Sequence, residues 1–262
     1  MLTRRVYIES SEYNLFKCLK YFTDYKFFEK SHTYTYKGQP VQKSVTQFVE
    51  TFVSPFDEEK WLPKKAKERG ISPEELKAEW NRTSLISTTT GTLFHKFMEE
   101  SISGKHFEYD FSYMDTSIKD IVYNRYDKLI RLGQEFISNT KEYLIPVKSE
   151  FIVGHNTEIA GQLDQLFYNS NTNSLDIYDW KTNKDIRCWN NWHKTMLPPF
   201  SNLDECELNS YSLQLSSYKA LLQNVGVHIG SLNIVWFNEN NKSYQIMQCK
   251  DLTDKVEPLL FK

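Results

Sequence analysis

The stretch GQLDQLFYNSNTNSLDIYDWKTNK, residues 161–184, decides the fold. Residues 159–168 and 175–181 read as strands, and NSNTNS between them is a cluster of turn formers, so the whole reads as an antiparallel hairpin. With its loop centred between Asn171 and Thr172, Asp164 falls directly opposite Asp179. Facing carboxylates in a strand pair stand roughly 5 Å apart and repel, so they require a cation, a shared proton or open water. Side chains two apart on a strand share a face, which sets Lys181 beside Asp179 and turns Trp180 to the other side. Two carboxylates next to an ammonium suit a bound Mg²⁺ or Mn²⁺ that guides water onto a phosphate. The competing reading is a solvated polar hairpin face whose charges touch nothing.

Outward from the hairpin, further strands read at 143–153, 229–237 and 243–249, and helices at 57–69, 73–82, 90–103, 115–139 and 207–224. Ahead of them come a helix at 8–22, a hairpin near 32–40 and a helix at 43–52. The order predicts an α/β fold with a mixed central β-sheet flanked by helices. Residues 1–86 form an N-terminal helical cap or arch, and 87–262 the core, together one unit. At 262 residues and 40% hydrophobic content the chain is long and apolar enough to bury such a core. The connection from Lys184 to Glu207 is long for a structureless loop and reads as substrate-facing.

Two helices carry polar groups at one-turn spacing. In STTTGTLFHKFMEESISG, residues 87–104, Thr and Ser lead in, His95 and Glu99 share a face, and Gly91 one turn earlier admits a backbone or phosphate. A lone helical histidine is more often a core or surface residue than a ligand. In LNSYSLQLSSYKALL, residues 208–222, Gln214 and Tyr218 share a face and can donate to phosphate, while Leu213, Leu215, Ala220 and Leu221 read as packing positions.

In this order, GTLFH, a strand containing Glu150, GQLD, DWK and QLSSY resemble the motif series of the PD-(D/E)XK nucleases, specifically their RecB-like exonuclease branch. The likeness runs from about Gly91 to Tyr218. HTYTYKGQPVQKSVTQFVETF, residues 32–52, is similar to the lead-in of phage and mitochondrial single-strand exonucleases. Leu163 replaces the proline of the name motif and Asp179 fills its (D/E) position, both familiar variants in that branch. The resemblance implies a restriction-endonuclease-like core. It also implies that His95, Asp164, Asp179 and the backbone carbonyl of Trp180 hold one or two Mg²⁺ or Mn²⁺ ions, with Lys181 orienting the attacking water. Glu150 would support the metals as ligand or from behind. Gln214 and Tyr218 would organise the site or hold the DNA backbone, with Gly91, Thr182 and Lys184 as further substrate contacts.

A formal net charge of -2 argues against non-specific coating of duplexes. A local basic path remains open to Lys64, Lys65, Lys67, Arg69, Lys184, Arg187 and Lys194, although a run such as KKAKER is usually a solvated helix face. Trp189 and Trp192, in the irregular stretch, favour a single-stranded substrate through stacking. Cys18, Cys188, Cys206 and Cys249 lack iron–sulfur spacing, so no cluster is expected, and such sparse thiols point to a reducing compartment. No apolar run reaches spanning length, and no signal-peptide core is evident. The expectation is a cytoplasmic protein, monomeric by preference, with the cytoplasm of a virus-infected cell included because of the AT-rich codon flavour of its composition. It would act as a metal-dependent exonuclease on single-stranded DNA or DNA ends in recombination, repair or replication. The alternatives are a structure-specific endonuclease and a non-catalytic nucleic-acid-binding module. All of these turn on whether His95, Asp164, Asp179 and Lys181 converge around one ion.

Overall fold

The computed structural model describes residues 15, 18–187 and 193–261. At its centre is the predicted hairpin, β6 (Ile159–Asn169) and β7 (Ser174–Lys181), with Gln165 paired to Tyr178, Leu166 to Ile177 and Phe167 to Asp176. That is the expected register, and the ladder stops one pair short of Asp164 and Asp179. Strand β5 (Leu144–His155) runs antiparallel along the whole of β6. A two-residue strand, β4 (Lys43–Ser44), pairs in parallel with Ile159 and Ala160. Since β5 occupies one edge of β6, β4 and β7 share the other, and Gly161–Asp164 lie in the gap between their ladders. Strand β8 (Ile229–Trp236) joins β7 in parallel, and β9 (Gln245–Gln248) closes the sheet antiparallel to β8. The architecture is α/β, a mixed sheet flanked by helices.

Alternation along β7 and β8 splits the core between the two faces of the sheet. Leu163, Ile177, Ile234 and Trp236 face a cluster with α1 (Val45–Glu50), α5 (Glu207–Gln223) and α6 (Thr253–Leu260). Phe167, Tyr178, Trp180, Val235 and Phe237 face α3 (Pro73–Ile102) and α4 (Thr116–Thr140). Strand β7 is buried on both sides from Asp176 to Trp180, which is how a polar Asp179 comes to be enclosed.

The helices expected at 73–82 and 90–103 are one 30-residue helix, α3, which passes without a break between residues 86 and 87. Its start is the Ser72 capping box with Pro73 in the first turn, and not the Ser-Thr run at 87–90. Within that run Thr90 is buried and donates its hydroxyl to the Ile86 carbonyl at 2.7 Å, so the residue that read as a cap is satisfied inside the helix. Helix α4 crosses α3 at Gly133, where an added Cβ would stand 2.8 Å from the Met98 sulfur and 3.0 Å from Phe97. Helix α2 (Glu58–Arg69) lies between α1 and α3 in the chain.

Three elements escaped the sequence reading, one of them β4, whose residues had been read as the start of a helix over 43–52. Strand β1 (Tyr25–Phe28) adds to β2 (Thr33–Tyr36) and β3 (Gln39–Pro40) to make a separate three-stranded sheet. Helix α6 contains Pro258 and spans 8 residues, too short for its periodicity to stand out. The helix expected over 8–22 falls for the most part outside the described residues, as do Cys188, Trp189 and Trp192. The described part of the long connection is pinned to the core through Ile186, Met196, Phe200 and Leu203. Phe200 is fully buried against Phe52 with ring centroids 4.8 Å apart, and Leu197 donates its N–H to the Phe52 carbonyl. Cys18 and Cys249 are free thiols. No helix among the described residues is long and apolar enough to cross a membrane.

Candidate metal centre

The gap in the β6 edge is where the polar residues gather. With no backbone partner there, the Trp180 N–H donates instead to Asp164 Oδ2 at 2.6 Å. Helix α3 brings His95 to the same place: its Nδ1 stands 3.4 Å from Asp164 Oδ1 and its Nε2 3.1 Å from the Trp180 carbonyl oxygen. Both ring nitrogens thus face acceptors, the arrangement of an imidazolium. From β5, Glu150 takes the position opposite Asp164 in the register that pairs Ser149 with Gln165 and Phe151 with Leu163. Its backbone has φ 46°, a left-handed conformation in mid-strand that costs a non-glycine residue about 1–3 kcal/mol. His95, Glu150 and Asp164 each offer a ligand atom, and these lie within 4.8 Å of one another.

Asp179 takes a different partner. Its carboxylate is in ion-pair contact with Lys181, and its side chain is only 2% exposed. The Lys181 ammonium also sits 4.8 Å from the centre of the Tyr211 ring. The structure therefore brings together two adjoining groups, a histidine with two acids and an aspartate with a lysine. Glu150, expected as ligand or support, is in the histidine–acid group, while Asp179, expected as a ligand, is paired with Lys181.

Charge is distributed among these groups by burial and by Asp164. Burial opposes charge on His95, but Asp164 beside it outweighs that and lifts the imidazole to about 9. Burial and then the Asp164 charge push Glu150 up to about 8. The same two causes outweigh Lys181 at Asp179, whose carboxyl rises to about 6. Asp164 itself is buried, yet His95 and Lys181 hold it below the ordinary carboxylate range. Burial likewise works against the Lys181 charge, but Asp179 and Asp164 keep its pKa above the ordinary lysine value. The centre thus favours charge on His95, Asp164 and Lys181 and the protonated form of Glu150.

A divalent cation fits this donor set. Ligands of one Mg²⁺ at about 2.1 Å stand at most about 4.2 Å apart, so a group already within reach of 4.8 Å needs only side-chain adjustment. The oxygens are hard donors and the imidazole extends the choice to Mn²⁺. The protons on His95 and Glu150 mark the charge that an ion would supply in their place.

The expected substrate contacts fall in three settings. Tyr218 is buried, accepts a hydrogen bond from Gln214 at 3.0 Å, and packs where a Cβ on Gly161 would come within 2.7 Å of its ring. It is enclosed in the core and does not lie on the surface. Gly91 faces Thr182, whose hydroxyl oxygen would be 3.5 Å from a Cβ at position 91, so no backbone presses close there. Lys184 is exposed, and its carbonyl accepts from Asn238. Most of the proposed basic path is paired with carboxylates: Lys65 with Glu68, Arg69 with Glu79, Arg187 with Asp185 and Lys194 with Glu205.

Two residues of the centre were missed. Gln162 donates to Glu150 Oε2 at 2.5 Å, and it shares a strand face with Asp164, a signal that GQLD contained. Tyr34 feels the Glu150 charge from the three-stranded sheet, a long-range juxtaposition without a sequence signal. No protein-family model matches the chain, and no curated protein matches it.

Proposed function

We propose that the chain is a divalent-metal-dependent nuclease that hydrolyses phosphodiester bonds in DNA, working as an exonuclease on single strands or strand ends. The observation that carries this reading is the meeting of His95, Glu150 and Asp164 within 4.8 Å, in a gap of the sheet beside the Asp179–Lys181 pair. His95, Glu150, Asp164 and the Trp180 carbonyl would hold the ion, which supplies charge neutralisation at the attacking and leaving oxygens and a lowered pKa for bound water.

The chain's own groups have distinct tasks. Asp179 holds the Lys181 ammonium in place, and the high pKa of that ammonium suits it to orient water and offset negative charge, and unsuits it as a base. Gln162 fixes one oxygen of Glu150 and the Trp180 N–H one oxygen of Asp164, leaving the other oxygens for ligation. The His95 side chain keeps 31% exposure, so the group remains reachable from solvent.

A non-catalytic module has one observation in its favour, the enclosure of Asp179 in an ion pair. The accessible imidazole and the strained Glu150 backbone weigh against it, since a structural ion pair requires neither. Purified protein with Mn²⁺ or Mg²⁺ should shorten end-labelled single-stranded DNA, and Asp164→Ala and Lys181→Ala should each abolish this. Closed circles cut as fast as linear strands would reject the exonuclease part. Metal binding without hydrolysis of any DNA would favour the module.

A further inference from the structure

The sheet β1–β3 carries a group of three rings near its turn. Phe27 and Tyr34 face each other across β1 and β2 with centroids 4.7 Å apart and planes inclined by 35°. The turn after β1 puts His32 into a left-handed conformation, φ 52°, and sets its ring edge-on to Phe27 at 5.2 Å. Phe27 and Tyr34 are only half-buried and His32 is exposed. The other end of the sheet is fixed: Tyr25 is buried and its hydroxyl donates to the Asn156 carbonyl at 2.9 Å, while Phe22 packs on Phe151 next to Glu150. Strand β1 packs against β5, the strand that carries Glu150, and Tyr34 packs on the core of that face together with Phe151 and Tyr218.

Charge separates this region from the rest of the chain. Between residues 20 and 43 there are five lysines, at 20, 26, 30, 37 and 43, against two acids, Asp24 and Glu29, in a protein of net charge -2. Rings left partly open, in a lysine-rich segment packed on the strand that carries Glu150, have the chemistry of single-stranded nucleic acid, whose bases stack and whose backbone is anionic. A duplex offers no free base face to them.

We infer that Phe27, His32 and Tyr34 form a base-stacking subsite that holds an unpaired base of a single-stranded DNA substrate beside the metal centre. The inference rests on the nuclease reading of that centre, but its test does not require turnover. In EDTA, the full chain should bind a labelled oligothymidylate more tightly than an abasic strand of the same length. Phe27→Ala should remove that difference, weakening oligothymidylate binding by roughly 5- to 100-fold and the abasic strand hardly at all. Phe27→Trp should retain it, and Phe28→Ala, on the opposite strand face, should leave it unchanged. Should Phe27→Ala not fold, ultraviolet cross-linking of 5-iododeoxyuridine DNA to the unaltered protein serves instead, with the cross-link expected within residues 27–34. Equal binding of the two strands, no binding of either, or cross-links only elsewhere would overturn the subsite. Base-dependent binding without metal-dependent cleavage would sink the nuclease reading and leave the subsite standing.

Discussion

Glu150 concentrates the conflict between stability and function in one residue. It adopts a left-handed backbone in mid-strand, its carboxyl is desolvated, and it faces the Asp164 charge. In the metal-free protein the Gln162 hydrogen bond and the nearby His95 offset this only in part, whereas a divalent cation would offset it directly. Glu150→Gln keeps the shape and the Gln162 contact but removes the repulsion and one hard ligand. The variant should melt at or above the temperature of the parent at pH 9 in EDTA and bind Mn²⁺ at least about 10-fold more weakly by calorimetry. A variant that melts lower and binds Mn²⁺ as well as the parent would show that Glu150 is structural.

Among the elements, α3 is the one on which the site depends most, since it alone delivers His95. Its position is set at Gly133 of α4, where the Met98 sulfur and the rings of Phe94 and Phe97 leave no room for a methyl group. Gly133→Ala gains helix propensity of about 1 kcal/mol but overpacks a contact that costs about 1–3 kcal/mol, so overpacking should win. The expected outcome is a net loss of up to about 2 kcal/mol in urea unfolding, with weaker Mn²⁺ binding as α3 moves off the sheet. Unchanged stability and affinity would mean that the helices yield there freely. How far such elements could be read in advance depended on where their determinants lie. The β6–β7 register was legible because its turn formers are local and one residue of slip would reverse buried and exposed faces. The unity of α3 was not, because β-branched Thr88–Thr90 disfavours a helix until packing against α4 overrides that preference. Asp164 and Asp179 were legible as a facing pair and Lys181 as the neighbour of Asp179, whereas the meeting of His95 with Asp164 was expected only through the family resemblance, because the two lie far apart in the chain. The Glu150 kink and the approach of Tyr34 come from contacts distant in the chain.

For the whole molecule, the centre makes stability depend on pH in a direction that a metal reverses. His95, Glu150 and Asp179 all hold their protons more tightly folded than unfolded, with folded pKa values of about 9, 8 and 6. Their proton-linked stabilisation is complete below the unfolded values, about 6.5 for histidine and about 4 for the acids, and is lost as pH rises through each folded value. Asp164 has the opposite sign, but its pKa is held low and its contribution is lost only under more acidic conditions. Between about pH 5 and 9 the folded metal-free chain therefore binds more protons than the unfolded chain, so these groups make it less stable as pH rises. A divalent cation competes with those same protons, binds better as they leave, and stabilises the fold by mass action. Melting curves in EDTA should fall in midpoint from pH 5 to pH 9, and saturating Mn²⁺ should raise the midpoint most at pH 9. In Asp164→Ala, which removes the charge that lifts His95, both the slope and the Mn²⁺ response should shrink. A Mn²⁺ shift of the same size at pH 5 and pH 9, or one that survives Asp164→Ala, would place the ion somewhere other than this centre.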